Sequence, residues 1–125
     1  MMYTSEEKQK IYSNIDKIIA YLLDQRVNVR GKITIDFGPM QTYAGYERET
    51  AYHLTIEPYA LYGRTGGLHI TFEHEDTMSS SWASIYRRID YAVALIQNWQ
   101  TIKREIHKEI ANQNNIINAI NNFEI

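Results

Sequence analysis

Residues 51–75 read AYHLTIEPYALYGRTGGLHITFEHE and contain two alternating runs that flank a glycine-rich turn. In each run every second residue is apolar, which places the apolar side chains on one side of an extended strand and the polar ones on the other. The apolar residues are Tyr52, Leu54 and Ile56 in the first run and Leu68, Ile70 and Phe72 in the second. The stretch predicts a β-hairpin with one face in a core and one face in water.

A third strand is predicted before this hairpin. The run KITIDF ends at Phe37 and alternates in the same way, and Gly38-Pro39 closes it because proline has no N–H to donate to a strand ladder. Residues 40–50 then form a polar and aromatic connection. Its length predicts either a functional loop or a hairpin that extends both neighbouring strands outward.

Helical patterns lie on both sides of the strands. Thr4 and Glu7 have capping-box spacing, so the first helix is predicted to begin there. A second pattern continues from Trp82 to Ile120, and one helix of that length would be about 60 Å long at about 1.5 Å per residue, twice the diameter of a small domain. We therefore expect a break, and the low helix propensity of residues 112–115 predicts it there.

These elements predict an α+β fold in one domain of residues 1–125: a helix, a three-stranded antiparallel meander, and a long helix with an extra C-terminal helix. The helices are expected to pack on one face of the sheet. The residues of that face are Ile33, Ile35, Leu54, Ile56, Ile70 and Phe72. The opposite face is expected to expose Lys32, Thr34, Asp36, His53, Thr55, Glu57, His69, Thr71 and Glu73.

Charge and composition exclude several classes of function. The 13 basic and 15 acidic residues give a net charge of −2, which argues against broad electrostatic binding to nucleic acid or to anionic membranes. The chain has no cysteine, so it can form neither a disulfide nor a thiolate zinc site. No run approaches the roughly 18 apolar residues of a membrane span. We therefore expect a cytoplasmic protein with no membrane partner.

Two H-x-T motifs are the sharpest candidates for chemistry. They begin at His53 and His69, and a hairpin closed symmetrically around Tyr62 would place His53 opposite Thr71 and Thr55 opposite His69. Two imidazoles and two hydroxyls on one patch can transfer a proton and hold a phosphate oxygen. The motifs resemble those of the two-histidine phosphoesterases, and this resemblance implies cleavage of cyclic phosphodiesters or small RNA ends. In that family the motifs lie on two lobes of a duplicated fold, whereas here they share one hairpin, so no catalytic residue is assigned.

A metal site and an RNA site are weaker alternatives. Imidazoles and carboxylates are ordinary ligands of zinc or manganese, and the polar face carries His53, His69, Glu57 and Glu73, but no close-spaced ligand signature occurs and no metal or cofactor is expected. The order of elements and Gly38-Pro39 look like those of double-stranded-RNA-binding domains. The second helix opens with SSSWAS instead of the basic cluster that grips phosphates, so nucleic acid is not the expected partner.

Tyrosine and arginine are concentrated in the two non-helical connections, and these residue types most often carry the binding energy of protein interfaces. The predicted binding residues are Tyr43, Tyr46, Arg48, Tyr59, Tyr62 and Arg64, with His53 and His69 on the face between them. In size, element order and lack of a catalytic signature, the chain looks like the small inhibitors carried by phages and mobile elements, including some anti-CRISPR proteins. That resemblance implies a non-enzymatic module that binds a protein partner.

The C-terminal helical pattern also predicts a homodimer. Its apolar stripe is longer than one small sheet can cover, and a second copy of the chain can remove the remainder from water. The residues of the predicted stripe are Ile106, Ile110, Ile117 and Ile120.

Overall fold

The computed structural model describes the backbone of residues 2–38, 40–43, 46–49, 52–61, 64–74 and 80–125, and the side chains within 2–38, 52–59, 67–73 and 85–125. The helices are α1 (Ser5–Asp24), α2 (Ile89–Gln97) and α3 (Trp99–Asn121), with 3₁₀ turns at Gln25–Val27 and Trp82–Arg87. The strands are β1 (Ile33–Phe37), β2 (Met40–Tyr43), β3 (Tyr46–Glu49), β4 (Tyr52–Leu61), β5 (Arg64–His74) and β6 (Ser80–Ser81).

The first helix begins where its capping box predicts. The Thr4 hydroxyl accepts the Glu7 N–H at 3.1 Å, and the Glu7 carboxylate accepts the Thr4 N–H at 3.0 Å. The second of these bonds stabilises the ionised carboxylate and lowers the pKa of Glu7. Two N–H groups that an exposed helix end would leave to water are thereby satisfied.

The sheet confirms the predicted α+β architecture, with three antiparallel strands, β1, β4 and β5, as its body. Its order is β1-β4-β5-β6, and the two-residue β6 pairs with β5 at Thr71 and Phe72. The β2–β3 ribbon lies in the connection between β1 and β4. Its Met40–Glu49 pair follows the register of the Phe37–Tyr52 pair, so the connection is the predicted hairpin extension.

The core lies on the predicted face of the sheet. All six residues assigned to that face are buried, and they form one cluster with apolar residues from the helices. The helical contributors include Ile15, Ile18 and Leu22 from α1, Ala92 and Leu95 from α2, and Ile102, Ile106 and Ile110 from α3. Of the predicted C-terminal stripe, Ile106 and Ile110 are thus covered within their own domain, whereas Ile120 is 68% exposed. The stripe is longer than the domain covers, and the homodimer inferred from it stays a prediction.

Tyr91 of α2 ties the helices to all three central strands. It is fully buried, and the rings of Phe37, Tyr52 and Phe72 meet it edge to face at centroid distances of 5.5, 5.0 and 5.4 Å. Its hydroxyl donates to the backbone carbonyl of His53 at 2.5 Å. Burial raises the pKa of Tyr91 far above its usual range, so the hydroxyl remains a donor.

The helix break lies at Asn98, and its prediction at residues 112–115 is wrong. Asn98 ends α2, where its side-chain Nδ2 donates to the Ala94 carbonyl at 2.8 Å, and its non-helical backbone precedes the start of α3. A side chain that satisfies a terminal carbonyl competes with continuation of the helix.

Residues 112–115 stay helical because a tertiary contact compensates for their low propensity. The Gln113 Oε1 accepts the N–H groups of Arg30 and Gly31 at 3.0 and 3.3 Å, and its Nε2 donates to the Gly31 carbonyl at 3.0 Å. One amide thereby satisfies three backbone groups of the segment that leads into β1. Tertiary contacts of this kind routinely override propensity.

Truncating Ile70 to Ala tests the assignment of the sheet faces. Ile70 is fully buried between sheet and helices, so the cavity should lower the free energy of unfolding by roughly 2–5 kcal/mol. The control is Val27→Ala, because Val27 is 78% exposed and should cost less than about 0.5 kcal/mol. Chemical denaturation measures both, and equal losses in the two variants would contradict the assignment.

Gln113→Ala tests the contact that holds α3 to the segment before β1. Loss of the amide leaves the part-buried N–H and carbonyl of Gly31 and the exposed N–H of Arg30 without this partner, so we expect a loss of about 1–3 kcal/mol in denaturation. Asn112→Ala removes an exposed amide one residue away and serves as the matched control. A loss no larger than that of the control would show that helix propensity alone maintains this part of α3.

Candidate functional site

The face of the sheet opposite the helices is the candidate site, and we refer to it as the outer face. Alternation along β1, β4 and β5 places its residues in rows across the strands. The rows are Asp36–His53–Glu73, Thr34–Thr55–Thr71, Glu57–His69 and Tyr59–Gly67. The described side chains of these rows are partly or largely exposed, except for Thr55.

The predicted pairing of the two H-x-T motifs is wrong by two residues. His53 lies opposite Glu73, Thr55 opposite Thr71, and His69 opposite Glu57. The predicted and observed registers keep the same side chains on the outer face, because they differ by an even number of residues. Only the neighbours of each side chain change.

A β-bulge near the hairpin turn sets this register. Leu61 pairs with Arg64 and Ala60 with Thr65, but Tyr59 pairs with Gly67, so Gly66 is the extra residue. Continuing the pairs nearest the turn without a bulge would put apolar residues of β4 opposite polar residues of β5. The extra glycine restores the match between the two apolar faces.

The observed register also gives better partners on the outer face than the symmetric one. It places each histidine opposite a glutamate and one threonine opposite another, and such cross-strand pairs each contribute roughly 0.2–1 kcal/mol. It further puts the Tyr59 ring over Gly67, where an added Cβ would lie 2.4 Å from the ring. A large ring covers the strand position that has no side chain of its own.

His53 is held by contacts on both sides of the sheet. Its Nδ1 lies 2.5 Å from Asp36 Oδ1 on the outer face, and its backbone carbonyl accepts the Tyr91 hydroxyl from the core. Because Nδ1 bonds to a carboxylate, the imidazole in its neutral form carries its proton on Nδ1 and presents Nε2 as an acceptor. The site is an oriented histidine–carboxylate pair.

His69 forms a second and looser pair nearer the hairpin turn. Its Nδ1 lies 3.4 Å from Glu57 Oε1, and both side chains are about half exposed. The Tyr59 ring meets the imidazole edge-on at a centroid distance of 6.5 Å, and Tyr59 is 41% exposed. This end of the outer face therefore combines an aromatic ring, an imidazole and a carboxylate.

The two imidazoles do not share a site. His69 is opposite Glu57, four residues along β4 from His53, which corresponds to a separation of about 14 Å across the sheet. Thr55 lies between them, is 8% exposed, and has its hydroxyl 3.3 Å from the Thr34 hydroxyl. Among the residues with described side chains, no three histidine, aspartate or glutamate groups converge to hold a metal ion. The predicted patch of two imidazoles and two free hydroxyls is therefore not formed.

Of the remaining predicted binding residues, Tyr43, Tyr46, Arg48 and Arg64 have a described backbone and fall at the two ends of β4. Tyr43 pairs with Tyr46 and Arg48 with Gln41 in the β2–β3 ribbon, beyond the Tyr52 end of β4. Arg64 pairs with Leu61 at the opposite end. The side chains of Tyr43, Tyr46, Arg48 and Arg64, and the whole of Tyr62, lie outside the described residues.

The sequence interpretation missed a second polar cluster on the helices. The Tyr21 hydroxyl of α1 hydrogen-bonds His107 Nε2 of α3, with the Trp99 ring edge-on to Tyr21 at 5.3 Å and Lys103 Nζ at 5.1 Å from the ring centroid. Burial raises the pKa of Tyr21. The only signal in the sequence is the spacing of four between Trp99, Lys103 and His107, which places them on one helix face.

A cleft of about 220 Å³ lies beside this cluster, lined by Asn14, Lys17, Ile18, Ile96 and Trp99. This volume is below the roughly 300–1,000 Å³ of small-molecule sites. The cleft fits a side chain better than a cofactor.

Comparison of the chain with protein-family models, curated proteins and solved structures finds no match. Within the described residues, no helix has the length and apolar character of a membrane-spanning segment.

Engineered disulfides test the register of the outer face, and the chain is suited to them because it has no cysteine of its own. Thr55→Cys combined with Thr71→Cys places thiols on directly opposite residues, whose Cβ atoms are about 4.5–5.5 Å apart in such pairs. Thr55→Cys combined with His69→Cys corresponds to the symmetric hairpin and is diagonal here, at about 7–8 Å. We expect the first pair to oxidise readily and the second to resist, as measured by thiol titration and mass. The reverse order would contradict the observed register.

Proposed function

We propose that the protein is a small non-enzymatic module that binds a protein partner through its outer face. The observation that carries this proposal is the one-sided packing of the fold: the described helices bury the other face, so the two histidine–carboxylate pairs and Tyr59 remain accessible. Side chains on paired strands lose little freedom on binding, because the sheet and its neighbours already orient them. The residue types match those of protein interfaces.

The charge of the outer face favours a basic partner. Among the residues of its rows with described side chains are the carboxylates of Asp36, Glu57 and Glu73 and no lysine or arginine, while the exposed Lys32 immediately precedes β1. Such a face repels the phosphates of nucleic acid and attracts basic side chains, which supports a protein partner over RNA. This observation also argues against a double-stranded-RNA-binding module.

The spacing of the histidines favours binding over turnover. A phosphoesterase of the two-histidine type needs both imidazoles at one phosphate, and a separation of about 14 Å does not allow this. Incubation with cyclic phosphodiesters is the direct test of that alternative. Turnover that disappears in His53→Ala and in His69→Ala would reverse the order of the two hypotheses.

Our finer proposal is an inhibitor carried by a phage or mobile element, such as an anti-CRISPR protein, that acts in the cytoplasm. A compact acidic face complements the basic channel in which a CRISPR nuclease holds nucleic acid. Binding there would exclude the guide or the target without any chemical step. The small size of the chain, 125 residues, fits this mode of action.

A charge-neutralised variant tests both the proposal that the outer face binds a protein partner and the finer proposal that this partner is a CRISPR nuclease. Asp36→Asn, Glu57→Gln and Glu73→Gln together remove the acidic character of the outer face while keeping side-chain size. The matched control, Glu6→Gln, Asp24→Asn and Glu124→Gln, changes the net charge equally at exposed positions elsewhere. In nuclease-inhibition and binding assays with a panel of CRISPR effectors, we expect the outer-face variant to lose at least about 30-fold in affinity, or about 2 kcal/mol. The control should remain close to the wild type.

Alanine pairs at Tyr43/Tyr46, at Tyr59/Tyr62 and at His53/His69 then locate the anchors along the face. If no effector in the panel is inhibited by the wild type, the anti-CRISPR proposal is wrong, and capture of a partner with the tagged protein still tests the outer face. If all variants keep full affinity for a captured partner, the interface lies on the helices and the binding proposal is wrong as well.

A further inference from the structure

The last part of α3 continues the buried face of the helix beyond the core. Ile102, Ile106 and Ile110 are buried, and Ile120 lies 18 residues after Ile102. Eighteen residues are five full turns, so Ile102 and Ile120 occupy the same helix face. Ile120 is nevertheless 68% exposed. The helix therefore extends past the part of the molecule that covers this face.

Two further apolar side chains widen the exposed stripe. Ile116, one turn before Ile120 on α3, is 54% exposed, and Phe123, which follows the end of α3 at Asn121, is 75% exposed. Ile117 is half-buried and connects the stripe to the core side of the helix. We refer to residues 111–123 as the α3 overhang. Gln113 fixes its base to Arg30 and Gly31, so the exposed stripe is presented on an anchored helix.

The overhang has an unusual charge distribution. Its sequence, ANQNNIINAINNF, has no charged side chain in 13 residues and contains six asparagines. The charged residues of α3, from Lys103 to Glu109, all precede Ile110. Depletion of charge around exposed aliphatic and aromatic side chains is the compositional mark of an interface core.

We propose that the α3 overhang is a self-association surface and that its occupant is a second copy of this chain. A two-fold axis brings identical surfaces together, which costs repulsion when they are charged; residues 111–123 have no charged side chain, and the exposed Glu124 follows them. Each asparagine amide is both a donor and an acceptor. The same asparagine of two copies can therefore form hydrogen bonds with its counterpart across the axis. Ile116, Ile120 and Phe123 form the apolar centre of the contact.

The uncharged composition of the overhang disfavours two other occupants, a membrane surface and a partner of opposite charge. A helix that lies on a membrane surface carries lysine or arginine on its polar face, and the overhang has neither. A partner that binds by charge complementarity finds no charged side chain on the overhang. The outer face, which is acidic, lies on a different part of the molecule, so self-association is independent of the proposed function.

The size of the surface fits a reversible dimer. The helical part of the overhang, residues 111–121, spans about 17 Å at about 1.5 Å per residue, and two such helices bury on the order of 1,000 Å², at the lower end of specific interfaces. Because buried area alone does not determine affinity, we expect a dimer whose population rises with concentration. Each dimer would present two outer faces, which raises avidity for any partner with two matching sites.

Sedimentation equilibrium of the full chain tests the proposal. With rising concentration the mass should increase from 14.7 kDa towards twice that value. Replacing Ile116 and Ile120 together by Asn should weaken association by at least about tenfold, because the apolar centre is lost. The control is Met2→Asn, which removes an exposed apolar side chain before the start of α1 and should leave the dimer unchanged. Circular dichroism verifies that each variant remains folded.

Three results would overturn the proposal. They are a monomeric mass at the highest soluble concentration, a dimer that the double variant does not weaken, and binding of the wild type to phospholipid vesicles that the double variant abolishes. The charge-neutralised outer-face variant should dimerise like the wild type. This separates failure of the self-association proposal from failure of the partner-binding proposal.

Discussion

The pairing of β4 with β5 has to keep Leu54, Ile56, Ile70 and Phe72 on one face, and the rest of the molecule depends on that constraint. A slip of one residue would turn either strand's apolar side chains into water, at about 25 cal/mol for each Å² exposed. The pairs nearest the turn impose such a slip, and the extra residue Gly66 removes it. The bulge disrupts the strand ladder locally, but it keeps the apolar face of the sheet continuous. The helices can pack on that face only because the bulge is present.

The same register determines what the outer face presents, since side chains of the two faces alternate along each strand. Once the core residues are matched, Asp36, His53 and Glu73 fall in one row and Glu57 and His69 in another. Tyr91 links the two faces, because its hydroxyl holds the His53 carbonyl while its ring fills the centre of the core. Changes to the packing around Tyr91 are therefore expected to reach the outer face through the backbone of one residue.

Much of the fold could be predicted from the sequence because its signals are local. The alternation of β1, β4 and β5 and the Thr4–Glu7 capping box each depend on residues a few positions apart. The register could not be predicted, because two even offsets satisfy the same alternation and are distinguished by the bulge at Gly66 and by cross-strand pairs worth about 1 kcal/mol or less each. The helix break was misplaced for a related reason, since the contacts of Gln113 span 82 and 83 residues and leave no local trace.

The candidate site could be predicted only in part, because its motifs are local but its contacts join residues far apart in the sequence. His53 and His69 were identified by their motifs, but their partners Asp36 and Glu57 lie 17 and 12 residues away, and only the strand pairing selects them. The Tyr21–His107 contact spans 86 residues and was missed altogether.

The outer face and the α3 overhang are proposed to bind by different interactions, so salt should affect the two surfaces differently. The outer face carries carboxylates, so the proposed attraction for a basic partner would weaken as salt screens it over about 8–10 Å at physiological ionic strength. The α3 overhang has no charged side chain, and the proposed self-association would remove apolar surface from water, which salt does not weaken. High salt would therefore release the partner while leaving two copies joined. A protein built in this way can remain a dimer through every cycle of partner binding and release, since neither surface contributes a residue to the other.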